Sequence, residues 1–201
     1  MTEEIVFYHN PRSRAQMVHW MLEEAGAPYR IVPIDLDKGE HKTPAFLALN
    51  PMGKLPTIVH RGVVVTETAA IIAYLADAFP AAGLAPPPSD AARGSYYRWL
   101  FFGAGCIEPA VLDKLFKRPD IARKTAVGWG SYDDVVATLK KALADGPYLL
   151  GDKFTAADVY VGSEIRSAMT FGAPGLKGEK VFDDYVARLS ARPAAQRTAA
   201  G

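Results

Sequence analysis

Up to residue 80, the chain alternates between two hydrophobic patterns, one typical of strands and one typical of helices. Short apolar runs predict strands at residues 5–8, 29–34, 57–60 and 63–66. Apolar positions at helical spacing predict helices over residues 15–25, 44–49 and 67–79. Because only Arg61 and Gly62 separate the last two strands, these strands should form a hairpin. The order βαβ, short α, ββα predicts a mixed α/β domain.

The rest of the chain has helical spacing only, and a proline-rich stretch separates it from the first part. Three consecutive prolines end at Pro88, where a helix cannot continue, so this stretch should be an extended linker. Thr155 and Asp158 have the spacing of a capping box at a later helix start. We therefore predict an α/β domain over residues 1–80, a linker over 81–89 and an all-helical bundle domain over 90–201.

The charge balance and the hydropathy of the chain exclude several classes of protein. Lys and Arg together number 23, and Asp and Glu 22, in 201 residues, which argues against a general nucleic-acid-binding protein. No apolar run reaches the roughly 18–20 residues of a membrane span, and the acidic start is unlike a signal peptide. We therefore expect a cytoplasmic protein that contacts neither nucleic acid nor membrane.

Cysteine and histidine usage limits the chemistry further. The single cysteine, Cys106, excludes an intrachain disulfide, a CxxC redox pair and a cysteine-rich zinc site. We expect it to be a small buried hydrophobic residue. No cluster of His, Asp and Glu has the spacing of metal ligands, so we predict no metal. His9, His19 and His60 should have packing or surface roles.

Three places in the first domain carry groups that bind small molecules. His41 and Lys42 offer cations or hydrogen-bond donors at a predicted helix start. Pro56 precedes a strand and leaves the backbone beside it without one ladder partner, and a cis bond there would turn the Leu55 amide toward a ligand. Residues 66–68 end a strand and open a helix, where backbone N–H groups bind anions. A molecule with two carboxylates, an amine and a peptide unit would satisfy all three places.

Taken singly, each of these features has an ordinary structural explanation. His41 and Lys42 would suit a solvated helix start, and Pro56 would suit the start of any strand. Glu67 at a helix N-terminus would contribute about 0.3–1 kcal/mol to stability without any ligand. The binding interpretation is favoured because the features occur together in an α/β domain of this order.

In this combination the sequence resembles the cytosolic glutathione S-transferases, most closely the phi-like and bacterial members. The resemblance rests on residues 41–56, on Glu67 and Thr68, and on the capping-box pair. It covers residues 4–80 well and the later helices more loosely. It implies a thioredoxin-like first domain that binds glutathione, a helical second domain that completes the pocket for a hydrophobic electrophile, and a homodimer.

The resemblance implies which residues bind glutathione. The residues at the glycine carboxylate and along the cysteinyl unit would be His41, Lys42, Lys54, Leu55 and Pro56. The Leu55 backbone would pair with the cysteinyl unit as a one-residue strand addition, next to a cis-proline at Pro56. Glu67 and Thr68 would bind the γ-glutamyl end, with Thr68 keeping the hydroxyl of the serine that is usual in the family.

The resemblance also requires a group that ionises the glutathione thiol. A free cysteine thiol titrates near ~8.5, and lowering its pKa by about two units needs roughly 2.7 kcal/mol. One or two hydrogen bonds to the thiolate, at about 1.5–3 kcal/mol each, are sufficient. The donors should lie between the first strand and the first helix, where the helix N-terminus also favours negative charge.

Ser13 is the residue that we predict to donate a hydrogen bond to the thiolate, because related sequences carry serine in a Ser-Arg-Ala context. The loop contains no cysteine, so a covalent mixed disulfide is not expected. Counting back from Gly26 places the family's serine nearer Arg12, and a second family pattern places Asn10 in the catalytic position. Arg14 would add charge, and Ser13 would alternatively serve only as the N-cap of the first helix.

The predicted function is conjugation of the glutathione thiolate to a small hydrophobic electrophile, with glutathione as cosubstrate and no other cofactor. The alternatives on the same fold are a glutathione-dependent peroxidase, isomerase or dehalogenase, and a non-catalytic glutathione-binding protein. Side chains of the second domain are candidates for the electrophile pocket, although aromatic stripes more often belong to a core: Tyr97, Phe101, Phe102, Cys106, Phe171 and Leu176.

Overall fold

A four-stranded mixed sheet forms the centre of the first part of the chain. The computed structural model describes residues 4–119 and 124–199. The strands are β1 Ile5–His9, β2 Tyr29–Pro33, β3 Thr57–His60 and β4 Val63–Thr66. Their order in the sheet is β2-β1-β3-β4. β2 is parallel to β1, and β3 is antiparallel to both β1 and β4. The predicted strands and hairpin are therefore confirmed.

Three helices accompany the sheet: α1 Ala15–Ala25, α2 Pro44–Leu49 and α3 Thr68–Ala78. α1 ends where Gly26 takes the left-handed conformation, with φ 60°. α1 and α3 pack against each other. The fully buried core of this part comes from the two central strands and these two helices: Ile5, Phe7, Ile58, Val18, Met21, Leu22, Ile71, Ile72 and Leu75. The strand order and the helices confirm the predicted thioredoxin-like fold.

The later part of the chain is helical, as predicted. Its helices are α4 Ala92–Phe102, α5 Glu108–Leu115, α6 Tyr132–Ala142, α7 Ala156–Thr170, α8 Lys180–Ser190 and α9 Pro193–Ala199. A π-helical turn, Gly103–Ile107, joins α4 to α5. A Cβ on Gly103 would lie 2.7 Å from Cε1 of Tyr160, so glycine permits the close approach of α4 and α7 here. None of the described helices is long and apolar enough to span a bilayer.

The chain forms two compact units. The first contains the residues up to 84 together with those from 193 onward, and the second contains residues 85–192. α9 therefore belongs to the first unit, where it packs against α1, whereas the sequence pattern placed residues 90–201 in one helical domain. The reason is that the buried face of α9 consists only of Ala194, Ala195 and Thr198. Such small side chains carry no pattern that indicates a packing partner.

The predicted capping box is present at the start of α7. Asp158 accepts a hydrogen bond from the backbone N–H of Thr155 at 2.9 Å. The same carboxylate also accepts from the N–H of Leu149 and from the hydroxyl of Tyr185, each at 2.9 Å. Asp158 is fully buried, and burial raises the pKa of its carboxyl against the effect of these hydrogen bonds. The capping box thus holds three segments of the helical unit together.

Candidate functional site

The strand register brings the predicted site segments to one end of the sheet. Tyr8 of β1 pairs with Thr57 of β3, and Thr57 pairs with Thr66 of β4. Because β3 is antiparallel to both neighbours, the loop after β1, the residues before β3 and the residues after β4 lie side by side. β2 is parallel to β1, so the chain that leaves it starts at the same end. We refer to this place as the carboxyl end of β1.

His41 and Lys42 lie in a separate 3₁₀-helical turn, and not at the start of α2 as predicted. The difference arises because Pro44 takes the first helical position and Thr43 caps the helix. A proline is well suited to that position, since it has no N–H to satisfy. The turn lies between β2 and α2. His41 and Lys42 therefore belong to the segment that follows β2, which starts at the carboxyl end of β1.

Lys42 folds back over the loop that leads to β3. Its ammonium donates a hydrogen bond to the carbonyl oxygen of Met52 at 2.9 Å. A Cβ on Gly53 would lie 2.7 Å from the carbonyl oxygen of His41, and the φ of Gly53 is 60°, so glycine is needed there for space and for its backbone conformation. Lys42 is exposed, and an ammonium has three hydrogens, so a carboxylate can still bind it. His41 is half-buried, and its Nδ1 is buried with no hydrogen-bond partner among the described residues.

The segment before β3 presents an open backbone. The Leu55–Pro56 peptide bond is cis, as the resemblance implies. Pro56 is buried and Leu55 is half-buried. In the part of the chain that the structure describes, neither the N–H nor the C=O of Leu55 bonds to another backbone group. Both groups are available to an extended peptide, which is the basis of strand addition. The side chain of Lys54 is exposed beside them.

Glu67 has a backbone conformation that few residues adopt. Its φ is 68° and its ψ 119°, in the region that normally requires glycine. It directly precedes α3, and its exposed side chain makes no capping bond to that helix. Thr68 follows as the first helical residue and is buried. Strained backbone of this kind persists mainly at binding and catalytic sites, so the conformation agrees with a ligand-binding role for Glu67.

The loop between β1 and α1 carries the candidate activating residues. The hydroxyl of Ser13 donates to the carbonyl oxygen of Asn10 at 2.7 Å and accepts from the N–H of Ala15 at 3.2 Å. The second bond resembles the one that a capping serine makes, but the N-cap of α1 is Arg14, whose side chain makes no capping bond. Asn10 is buried, whereas Arg14 is exposed. Ser13 remains our prediction for the thiolate donor.

His9, at the end of β1, and His19, in α1, pack next to each other beside this loop, in agreement with the predicted packing roles. The Nε2 of His9 lies 3.4 Å from the Oε1 of Gln16 in α1. The His9 and His19 rings are 5.3 Å apart between centroids. Burial lowers the pKa of both imidazoles, and the neighbouring His19 adds to the effect on His9. Tyr8 is half-buried and packs edge-on against Phe46.

Cys106 does not have the predicted buried position. It is half-buried in the π-helical turn, with its Sγ 3.7 Å from the carbonyl oxygen of Gly128. Partial burial raises the pKa of its thiol. The π-turn rotates this side chain off the face that a continuous α-helix would have given it, and the hydrophobic pattern did not predict the turn. Within the described residues, no three His, Cys, Asp or Glu side chains come together as a set of metal ligands.

The candidate pocket residues of the second unit have different environments. Phe101 and Phe171 are each 72% exposed and Tyr97 is 41% exposed, so all three present rings on the surface of that unit. Phe102 is half-buried. Leu176 is 2% exposed and therefore belongs to the core of the unit, not to a pocket wall.

Comparison with known proteins identifies the family. Residues 3–77 match the family model described as the glutathione S-transferase N-terminal domain. The chain is 32% identical to glutathione S-transferase 3 of Zea mays over 195 residues, which is 90% of this chain and 86% of that protein. The chain belongs to the glutathione S-transferase family. Its N-terminal match covers the whole sheet, α1, α2, all of α3 except its last residue, and the carboxyl end of β1.

Two further relatives bear on the activity of this glutathione S-transferase family member. A glutathione transferase family member from Pseudomonas fluorescens, solved with two glutathione molecules bound, is 28% identical with a TM-score of 0.80. The alignment covers 98% of this chain and 92% of that one. The maleylacetoacetate isomerase of Pseudomonas aeruginosa is 31% identical over 156 residues, which is 73% of each protein.

Asn50 directly follows α2 and holds the loop that leads to Leu55, a role that the sequence pattern did not predict. It is 3% exposed. Its side-chain amide donates to the carbonyl oxygen of Lys54 at 3.0 Å and to the hydroxyl of Thr57 at 3.2 Å. Its Oδ1 accepts from the N–H of Met52 at 3.1 Å. The signal for this role is the Asn-Pro dipeptide, which the chain contains at residues 10–11 and again at 50–51.

Proposed function

We propose that the protein binds glutathione at the carboxyl end of β1 and joins its sulfur to a small hydrophobic electrophile. The observation that carries this proposal is the register that pairs Tyr8 with Thr57 and Thr57 with Thr66. Through this register, residues that are about 10 to 60 positions apart in sequence lie around one end of the sheet. The family membership and the glutathione bound to the Pseudomonas fluorescens relative support the same ligand.

Each end of the tripeptide has a matching group. The exposed ammonium of Lys42, with His41 and Lys54, would bind the glycine carboxylate. The open N–H and C=O of Leu55 would pair with the cysteinyl unit in an antiparallel strand-like contact. Glu67 would bind the γ-glutamyl ammonium, and Thr68 with the first N–H groups of α3 would bind the adjoining carboxylate.

Ser13 would stabilise the thiolate by exchanging one hydrogen bond for another. Its single hydroxyl hydrogen now goes to the Asn10 carbonyl, and this carbonyl also accepts from the Ser13 N–H. A hydrogen bond to a charged acceptor contributes about 1.5–3 kcal/mol, against about 0.5–1.5 for a neutral one. The exchange therefore favours the thiolate by roughly 1 kcal/mol, and the N-terminus of α1 adds about 0.3–1 kcal/mol. Together these terms lower the thiol pKa by about one unit or slightly more.

The chemistry then needs no further group from the protein. The thiol proton passes to solvent when glutathione ionises on the enzyme. The thiolate sulfur attacks the electrophilic carbon, an S–C bond forms, and any leaving group departs with the electron pair of its bond. The protein contributes the position of the sulfur and its ionised state.

Glutathione binding and product formation test this proposal directly. Isothermal titration calorimetry should detect glutathione binding, and chlorodinitrobenzene should yield a glutathione adduct. Glu67→Gln should weaken glutathione binding by about tenfold or more, since it removes a charged hydrogen-bond partner. Glu4→Gln is the matched control, because Glu4 is exposed and precedes β1 at the opposite end of the strand. Equal affinity in both variants, or no binding by the unmodified protein, would contradict the proposal.

Isomerisation is the second candidate, and the similarity to the Pseudomonas aeruginosa maleylacetoacetate isomerase favours it. In this reaction the same thiolate would add to a conjugated double bond, allow rotation and leave again, so that glutathione is regenerated. Product analysis separates the two functions. A transferase consumes glutathione in a fixed ratio to product, whereas an isomerase forms product from an acid with a cis double bond conjugated to a carbonyl group, with no net loss of glutathione.

We also infer a homodimer, as the family resemblance implies. The exposed rings of Tyr97 and Phe101 on α4 lie 6.5 Å apart between centroids and support a contact surface on the second unit. Light scattering should give twice the 21.7 kDa of one chain. Phe101→Asp should shift the protein toward the monomer mass, whereas Phe116→Asp, at an equally exposed ring, should not.

A further inference from the structure

Asn10, in the loop between β1 and α1, hydrogen-bonds both to the chain just beyond β2 and to the later residues of its own loop. It is 8% exposed, and its side-chain amide donates to the carbonyl oxygen of Ile34, just beyond β2, at 2.8 Å. Its Oδ1 accepts from the N–H of Arg12 at 2.9 Å. Its backbone carbonyl accepts from both the N–H and the hydroxyl of Ser13, at 3.1 and 2.7 Å. One buried side chain therefore connects β2 to the loop and, through the backbone of the same residue, to Ser13.

The position requires a side chain with both a donor and an acceptor. Ile34 offers a carbonyl oxygen, and Arg12 offers an N–H. An ionised aspartate would place a second acceptor against the Ile34 carbonyl. A serine would still accept from the N–H of Arg12 in a similar turn. It is too short to reach Ile34 as well, so a serine variant removes the side-chain bond to Ile34 and keeps the local turn. The backbone bond from the Ile34 N–H to the His9 carbonyl, at 2.9 Å, remains.

We propose that Asn10 is a positioning residue for the thiolate site, and not itself the donor to the sulfur. This inference rests on the proposed function. The amide bond to Ile34 fixes the Asn10 residue, and the Asn10 carbonyl holds the Ser13 backbone by accepting from its N–H at 3.1 Å. This backbone bond can persist when the Ser13 hydroxyl turns from the same carbonyl to the sulfur. Because the strength of a hydrogen bond falls steeply with poor geometry, an Asn10 residue without its amide bond to Ile34 would align the Ser13 hydroxyl less well with the sulfur.

Asn50 makes the same turn in the other loop of the site and therefore provides a matched control. Its Oδ1 accepts from the N–H two residues later, its amide donates to a backbone carbonyl, and a proline follows it, as at Asn10. The Asn50 turn holds the loop that leads to Leu55, which would contact the glutathione backbone. Loss of the Asn50 amide should therefore weaken glutathione binding and leave the thiol pKa unchanged.

The pH dependence of the conjugation rate tests the assignment. In Asn10→Ser, the acidic limb of the kcat profile should shift to higher pH by about one unit, which lowers kcat near neutral pH by about tenfold. At alkaline pH kcat should return to the level of the unmodified protein, because the thiol then ionises without help. The glutathione KM should stay within about twofold. Asn50→Ser should instead raise the KM and leave the acidic limb in place.

Other outcomes overturn the inference. An unchanged acidic limb in Asn10→Ser contradicts it whether activity is kept or lost, and so does an equal shift in both variants. Should Asn10→Ser be too unstable to purify, Asn10→Thr also keeps an acceptor for Arg12, adds no charge beside the sulfur and should give the same shift. The unmodified protein distinguishes this inference from the proposed function. If it fails to bind glutathione, the function is wrong; if it binds and conjugates normally, only the role of Asn10 is tested.

Discussion

Arg197 in the last helix donates from its Nε to the Oε2 of Glu23 in the first helix, at 2.5 Å. The other oxygen of Glu23 accepts from the hydroxyl of Tyr29 at 2.6 Å. The Nε2 of His19 lies 2.9 Å from the hydroxyl oxygen of Tyr29. Because the single hydrogen of this hydroxyl goes to Glu23, His19 must be the donor to Tyr29. The carboxylate of Glu23 thus joins α9, α1 and the start of β2 within the first unit.

The pairing of Glu23 gives the first unit an acid-sensitive contact. The hydrogen bonds from Tyr29 and then Arg197 lower the pKa of Glu23 below its ordinary value of 4.5. A lowered folded-state pKa means that the stabilisation is present above 4.5 and is lost as the pH falls through the folded-state value. Glu23→Gln should therefore destabilise the protein by about 1 kcal/mol at neutral pH. The difference from the unmodified protein should shrink below pH 4.5 in denaturant titrations.

The control for this prediction is another carboxylate in an ion pair. Asp184 pairs with Lys180 four residues earlier, and both side chains are half or more exposed. Asp184→Asn should therefore change the free energy of unfolding by less than about 0.5 kcal/mol at either pH. A pH-independent effect of Glu23→Gln would contradict the proposed origin of its stabilisation.

The hydrogen bond from Tyr185 to Asp158 adds a second prediction. Removing the carboxylate in Asp158→Ala would leave buried donors of Leu149, Thr155 and Tyr185 without an acceptor. The expected loss is about 3–5 kcal/mol of unfolding free energy, since each buried donor without a partner costs about 1–3 kcal/mol. Tyr185→Phe removes one donor only and should cost about 1–2 kcal/mol. Equal losses in the two variants, measured by chemical denaturation, would mean that the other three hydrogen bonds to Asp158 contribute nothing.

Two glycines of the same π-helical turn should respond in opposite directions to alanine. Around Gly105, a Cβ would meet no heavy atom within 4 Å, so Gly105→Ala should stabilise the protein by about 0.5–1 kcal/mol through helix propensity. A Cβ on Gly103 would collide with the ring of Tyr160 at 2.7 Å. Gly103→Ala should therefore destabilise by about 1–3 kcal/mol. Thermal unfolding of both variants checks this, and stabilisation by Gly103→Ala would show that the α4–α7 contact is loose.

The hairpin of the first unit and the start of α7 in the second could be predicted from the sequence because their signals are local. Alternating apolar runs and the Arg61-Gly62 turn determine the hairpin, and Thr155 and Asp158 mark the start of α7 by their spacing alone. Tyr185 completes that capping box from 27 residues away, and no local pattern indicates such a partner. The packing of α9 on α1 depends on tertiary contacts in the same way.

The candidate site also has features that the sequence predicts and features that depend on tertiary contacts. Residue types and the family resemblance predicted Lys42, Leu55 and Glu67, and the register confirms that their segments meet at one end of the sheet. The positive φ of Glu67 was not predictable, because glutamate has no preference for that region. Nor could the role of the Asn10 side chain be derived, because its acceptor on Ile34 lies 24 residues away.

The most direct test of the central claim is the ionisation of glutathione on the protein. Thiolate absorbance in the ultraviolet, followed against pH with glutathione bound, should give a midpoint below the ~8.5 of a free thiol. Ser13→Ala should raise this midpoint by about one unit. A bound thiol that titrates like free glutathione in the unmodified protein would contradict the account, because no residue of the loop would then be stabilising the sulfur anion.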